Sequence, residues 1–67
     1  MIYRLRKVLL DCVRTVDEYN HALNEAESMY FQKLKEAEEY VGGKLKKQRC
    51  GYGGTDGKYD YIVERVK

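Results

Sequence analysis

The 67-residue sequence has no proline and no tryptophan, and only one phenylalanine and one histidine. Without proline it cannot be a collagen-like or mucin-like repeat. Its longest apolar run, residues 8–10, is far shorter than the ~20 residues that a membrane-spanning helix needs. The length also excludes a multidomain enzyme. Tyrosine, valine and leucine are plentiful, which argues against complete disorder and for one small domain.

Cysteine is also scarce, with only Cys12 and Cys50. The N-terminus is basic, but Asp11 interrupts its apolar stretch and no small-residue cleavage site follows, so we expect no secretion signal. These features predict a cytoplasmic protein whose thiols are reduced. A disulfide bond between the two cysteines is the alternative, and it would require their Cα atoms to lie within ~7 Å of each other.

Glycine is absent before residue 42, and the stretch that precedes it carries a helical pattern. Apolar residues recur there at steps of three or four, close to the α-helical period of about 3.6 residues. Thr15 and Glu18 have the spacing of a capping box, and Gly42 supplies a C-terminal stop. The pattern predicts one helix at about 16–41. Because the apolar stripe does not keep a strict heptad, a helix lying on a sheet is favoured over a coiled coil.

The two ends of the chain have the composition of strands. β-branched and aromatic residues favour a strand at about 2–12, although Ile2, Leu5 and Leu9 would also extend the helical stripe backwards into one continuous helix. The C-terminal part predicts a hairpin at about 44–66, with a glycine-rich loop at its centre. The expected fold is a single α+β domain of residues 1–67. Its order is strand–helix–strand–strand, with one long amphipathic helix packed on a small three-stranded antiparallel sheet.

Charge is segregated along the chain, although the net charge is only +2. Residues 1–14 carry a net +3, residues 15–41 a net −5 and residues 42–67 a net +4. An acidic helix on a basic sheet is therefore expected. Several of its glutamates would share one stripe opposite the apolar band. Such a stripe is typical of a solvated surface and also suits a docking surface for a basic partner.

The sequence offers little for catalysis or for metal binding. Cys12, His21 and Cys50 lack the close spacing of metal ligands, and a cysteine–histidine pair would have no third group to orient it. The glycines of residues 51–57 lack the spacing of a phosphate-binding loop and favour a hairpin turn. We therefore expect no enzymatic activity, no metal and no cofactor.

Residues suited to binding a partner lie on both parts of the predicted fold. One aromatic side chain is predicted to project beside the apolar band among polar neighbours, as an interface anchor does. Basic residues beside tyrosines on the hairpin suit phosphates and bases, although lysines also protect sheet edges from aggregation. The predicted partner-binding residues are Glu25, Phe31, Glu36, Glu39, Lys46, Lys47 and Arg49.

The favoured interpretation is a small non-enzymatic binding protein that acts by occupying a macromolecular surface. In size and layout the whole chain resembles the small inhibitors, anti-CRISPR proteins among them, that phages and other mobile elements encode against host or anti-phage machinery. The resemblance implies a larger protein or a protein–nucleic-acid complex as the partner, and no membrane. One alternative is a nucleic-acid-binding module that uses the basic hairpin. Another is a self-associating protein, such as a homodimer, in which the acidic helix meets the basic sheet of a second copy.

Overall fold

A computed structural model describes residues 1–49 and 51–66, which form five strands and two α-helices. The predicted α+β class is thereby confirmed. The helices are α1 (Val16–Glu25) and α2 (Leu34–Val41), and a short 3-10 helix at Leu10–Cys12 follows the first strand. The strands are β1 (Tyr3–Leu9), β2 (Met29–Phe31), β3 (Lys46–Gln48), β4 (Gly51–Thr55) and β5 (Tyr59–Arg65).

All five strands join one antiparallel sheet in the order β2-β1-β5-β4-β3. The two longest strands, β1 and β5, are neighbours, and they pair along their whole length from Tyr3–Arg65 to Leu9–Tyr59. The prediction of three strands is therefore wrong in number, because β2 and β4 were not expected.

One face of the sheet carries the hydrophobic core, and we call it the core face. Leu5 and Val63 lie opposite each other on this face, and Tyr61 lies two residues before Val63 on the same face. Helix α2 covers them with Ala37, and Leu45 reaches the same cluster from the segment before β3. In the sequence, strand alternation predicts that Tyr59, Tyr61 and Val63 share one face of the last strand, and Tyr61 and Val63 are both buried on the core face.

The single long helix is wrong, because the chain leaves helical geometry between α1 and α2 and forms β2. No glycine or proline marks this break. Met29, Tyr30 and Phe31 pair with β1 instead. Aromatic side chains suit a pleated strand, and the pairing outweighs a weak helix propensity. A continuous helix would have placed Tyr30 in the apolar stripe, whereas its side chain is 61% exposed in β2.

The two outer ends of the helical region are confirmed. Thr15 precedes α1 in an extended conformation, and its Oγ1 accepts a hydrogen bond from the Glu18 N–H at 3.1 Å. Gly42 ends α2 with a left-handed φ of 86°, which glycine adopts without steric cost. The capping pattern in the sequence therefore located both ends correctly, and only the interior of the segment was misjudged.

The terminal strands are confirmed in part. Strand β1 occupies most of the predicted segment 2–12, so the alternative of a helix continuing from residue 2 is wrong. The C-terminal hairpin pairs β5 with β4 rather than with residues 44–50, and its turn is held by Asp56, whose carboxylate accepts two backbone N–H bonds. Residues 46–48 form the edge strand β3, which pairs with β4. The possible disulfide bond of Cys50 lies outside the described residues.

The two helices lie on opposite faces of the sheet. Val8, on the face opposite the core face, is 1% exposed and pairs with Asp60 of β5. Helix α1 covers this end of the face, where the Tyr19 hydroxyl donates to the Asp60 carboxylate at 2.6 Å. Burial raises the pKa of Tyr19, which keeps that hydroxyl protonated. Neither helix of the described chain is long and apolar enough to cross a membrane.

Candidate functional site

The part of the α1 side of the sheet that α1 does not cover forms a polar surface across all five strands, which we call the open basic face. The strand register places two adjacent rows of residues on it, with Lys44 at the border. The first row contains Tyr30, Arg4, Glu64 and Gln48, and the second contains Arg6, Ile62, Gly53 and Lys46.

Two arginines of β1 share one carboxylate at the centre of this face. Arg4 Nη2 lies 2.9 Å from Glu64 Oε1, and Arg6 Nη2 binds the same oxygen. The hydrogen bond from Arg4 holds the pKa of Glu64 below its ordinary value, so this carboxylate is ionised at neutral pH. Glu64 therefore fixes the two guanidinium groups in place.

The cluster retains a surplus of positive charge and of hydrogen-bond donors. Each guanidinium carries five N–H donors, and in the described chain only Nη2 of each arginine is hydrogen-bonded to Glu64. The Arg4 side chain is 31% exposed and the Arg6 side chain 16% exposed, which leaves Arg4 the more accessible. Lys44 and Lys46 add two exposed cations at the far side of the face.

Between the arginines and the lysines the sheet carries Ile62 and Gly53, and the Gln48 side chain covers the glycine. Gly53 is buried in β4 between Ile62 and Lys46, and it has no side chain to rise above the sheet. A Cβ at this position would lie only 2.6 Å from Gln48 Nε2, because the Gln48 side chain lies across the glycine. The Gln48 amide lies over Gly53 and offers a ligand a neutral donor and acceptor between the arginines and the lysines.

The structure separates the three basic residues that the sequence predicted as contacts. Lys46 lies on the open basic face, opposite Gly53. Lys47 pairs with Tyr52, which packs against the core cluster, so Lys47 projects from the opposite side of the sheet. Arg49 is exposed in the turn that follows β3.

The predicted acidic stripe does not exist as one surface, because its residues lie on two helices. Glu25, on α1, lies 3.3 Å from His21 of the same helix. Glu36 and Glu39 belong to α2, on the other side of the sheet. Phe31 is half-buried against the core, with its ring centroid 6.0 Å from that of Tyr40.

Glu36 has an intramolecular role that the sequence pattern did not reveal. Its Oε1 accepts backbone N–H bonds from Gln32 at 3.1 Å and from Lys33 at 3.0 Å, which closes the start of α2. We expect Glu36→Ala to lower the free energy of unfolding by about 1 kcal/mol in urea denaturation. The matched change Glu39→Ala, at an exposed position of the same helix, is expected to stay within about 0.5 kcal/mol. Equal losses in the two variants would contradict the cap.

Several residues of the open basic face were missed in the sequence. Arg4 and Arg6 are two residues apart, and this spacing places both on one face of a strand, so the signal was present. The helical pattern places Tyr30 on the apolar side of a helix that does not form. Nothing in the sequence therefore indicated that its side chain is exposed. Glu64 is linked to the arginines only through the pairing of β1 with β5, which the sequence did not specify.

No group of three or more histidine, cysteine or acidic side chains in residues 1–49 and 51–66 is arranged to hold a metal ion. Comparison of the chain with protein-family models, with curated proteins and with solved structures finds no match. The geometry described above is therefore the basis for a functional proposal.

Proposed function

We propose that the protein is a non-enzymatic binding protein whose open basic face binds the sugar–phosphate backbone of nucleic acid. The observation that supports this proposal most strongly is the position of its cations. Arg4, Arg6, Lys44 and Lys46 come from separate parts of the sequence and lie together on the α1 side of the sheet, beyond the part that α1 covers. Glu64 and Asp60, which lines the same pocket as the two lysines, balance two of these four charges, so the surface keeps a net positive charge.

The chemistry of these groups suits phosphate. Arginine presents planar donors that match the oxygens of a phosphate group, and lysine adds a compact charge. Glu64 holds the two guanidinium groups in fixed positions before a ligand arrives, which lowers the conformational entropy lost on binding. Each phosphate that is neutralised releases counterions, so the affinity is expected to fall steeply with salt.

The acidic helices give weaker support for the alternative that this chain presents an acidic docking surface to a basic partner. Glu36 caps α2, and the Glu38 carboxylate accepts the backbone N–H of Leu45 at 2.8 Å, so both carboxylates have structural roles. An inhibitor of the kind that phages encode stays a prediction from size and layout. In our proposal such an inhibitor would act by binding nucleic acid that the machinery it blocks requires. Self-association also stays a prediction.

Two neighbouring lysines provide a matched test. We expect Lys46→Glu to weaken binding of the chain to short DNA and RNA oligonucleotides by about tenfold at low salt, because it replaces a phosphate contact with a repulsive charge. Lys47→Glu makes the same change in charge one residue away, on the opposite side of the sheet, and is expected to have a much smaller effect. Fluorescence anisotropy of labelled oligonucleotides, repeated at several salt concentrations, measures both.

The salt dependence provides a second measure in the same experiment. Loss of one phosphate contact is expected to reduce the slope of log affinity against log salt by about 1 in Lys46→Glu only. If the two variants weaken binding equally, the effect comes from net charge and not from this face. Absence of binding by the unchanged chain at low salt would refute the proposal.

A further inference from the structure

We infer that the open basic face takes single-stranded nucleic acid in preference to duplex, and that Tyr30 stacks on one of its bases. This inference rests on the proposed function and adds the class of nucleic acid to it. It is based on the width of the face, on the position of α1 and on the location of one exposed aromatic side chain.

The face is too wide to read a duplex. Five strands at ~4.8 Å spacing extend about 19 Å from β2 to β3, whereas the major groove of B-form DNA is about 12 Å wide. That groove admits a helix or a two-stranded ribbon, not a five-stranded sheet. A duplex would therefore contact the face through its outer phosphates alone. A single strand can lie flat across the strands, with its phosphates and its bases both against the protein.

Helix α1 borders the face and disfavours a second nucleic-acid strand. A helix stands about 10 Å above the sheet that it packs on. Helix α1 carries three exposed carboxylates, Asp17, Glu18 and Glu25, and no lysine or arginine. Their side chains line a surface pocket with Cys12, so a duplex on the face would meet the side of α1, which offers it no lysine or arginine. A single strand that lies along the two rows of the open basic face largely avoids contact with α1.

Tyr30 lies at the β2 end of the face with its ring in solvent. It is 61% exposed and pairs directly with Arg4, so a stacking surface and a phosphate donor are cross-strand neighbours. Arg4, in the same row as Tyr30, is held in place by Glu64. A nucleotide whose phosphate contacts Arg4 would place its base within reach of the Tyr30 ring. Aromatic stacking of this kind is tolerant of sequence, because every base has a π-face.

The test compares three labelled 12-mers at one low salt concentration: oligo-dT, oligo-U and a mixed-sequence DNA duplex. We expect the unchanged chain to bind at least one single strand about tenfold more tightly than the duplex. Tyr30→Ala should weaken single-strand binding by about tenfold and change duplex binding by less than twofold. Tyr30→Phe keeps the ring and should restore single-strand binding. Tyr30→Thr removes the ring but retains strand propensity, so it replaces the alanine variant if the latter does not fold.

The outcomes separate this inference from the proposed function. Duplex binding that equals or exceeds single-strand binding would overturn the inference while leaving nucleic-acid binding intact. Unchanged single-strand affinity in a folded variant without the ring would overturn the role of Tyr30. Absence of binding to all three probes would refute the proposed function itself. Preference for either single strand over the duplex supports the inference.

Discussion

Leu5→Ala is expected to lower the free energy of unfolding by about 2–5 kcal/mol, which is most of the stability of a chain of this size. Leu5 is 1% exposed and lies in the core cluster against Val63, beneath Ala37 of α2. The truncation leaves a cavity that few neighbours can fill, because the sheet carries only one layer on this side. Urea denaturation followed by far-UV circular dichroism measures the loss.

Leu10→Ala is the matched control for this change. Leu10 is half-buried in the 3-10 helix after β1 and is not a member of the core cluster. The same deletion of side-chain atoms is expected to cost about 1 kcal/mol there. A loss at Leu10 as large as that at Leu5 would mean that the core is not centred on the contact of β1 with β5.

Gly51→Ala is the second change with a large expected effect. Gly51 has a φ of 152°, and a Cβ there would collide with the backbone carbonyl oxygen of Val63 in β5. Backbone atoms of a paired strand cannot move aside as the end of a side chain can, so the substitution must separate β4 from β5 locally. We expect a loss of about 3 kcal/mol, from backbone strain and broken pairing together, in the same denaturation experiment.

Gly43→Ala makes the identical chemical change at a site where the structure predicts no penalty. A Cβ at Gly43 would have no atom within 4 Å, and its φ lies outside the left-handed region. Alanine there is expected to be neutral or to stabilise the chain by about 0.5 kcal/mol, because it restricts the unfolded state. If the two substitutions change the free energy of unfolding equally, β4 does not approach β5 as closely at Gly51 as described.

The sequence was informative where local chemistry decides the structure. Thr15 and Gly42 marked the outer ends of the helical region, and alternation placed Tyr61 and Val63 on one face of the last strand. It failed where pairing with a distant strand decides. Residues 29–31 fit the helical period, and their conversion to β2 depends on contact with β1, some 25 residues earlier. No local feature of the sequence distinguishes a helix from a strand at these residues.

The same distinction explains the candidate site. The basic character of both ends of the chain was visible in the sequence, and Lys46 was among the predicted contacts. The grouping of Lys46 with Arg4 and Arg6 required the order β1-β5-β4-β3, in which two strands lie between the N-terminal strand and the edge strand β3. The position of α1 was also needed, because the face is open only where α1 does not cover it.

Binding of nucleic acid by the open basic face can be located residue by residue. The most direct test is a titration of the ¹⁵N-labelled chain with a short single-stranded oligonucleotide, in which backbone amide shifts are followed by NMR. We expect the largest changes at Arg4, Arg6, Tyr30, Lys46 and Gly53, with α2 and Lys47 little affected. Changes concentrated on α2 and Lys47, with the open basic face unperturbed, would contradict this expectation.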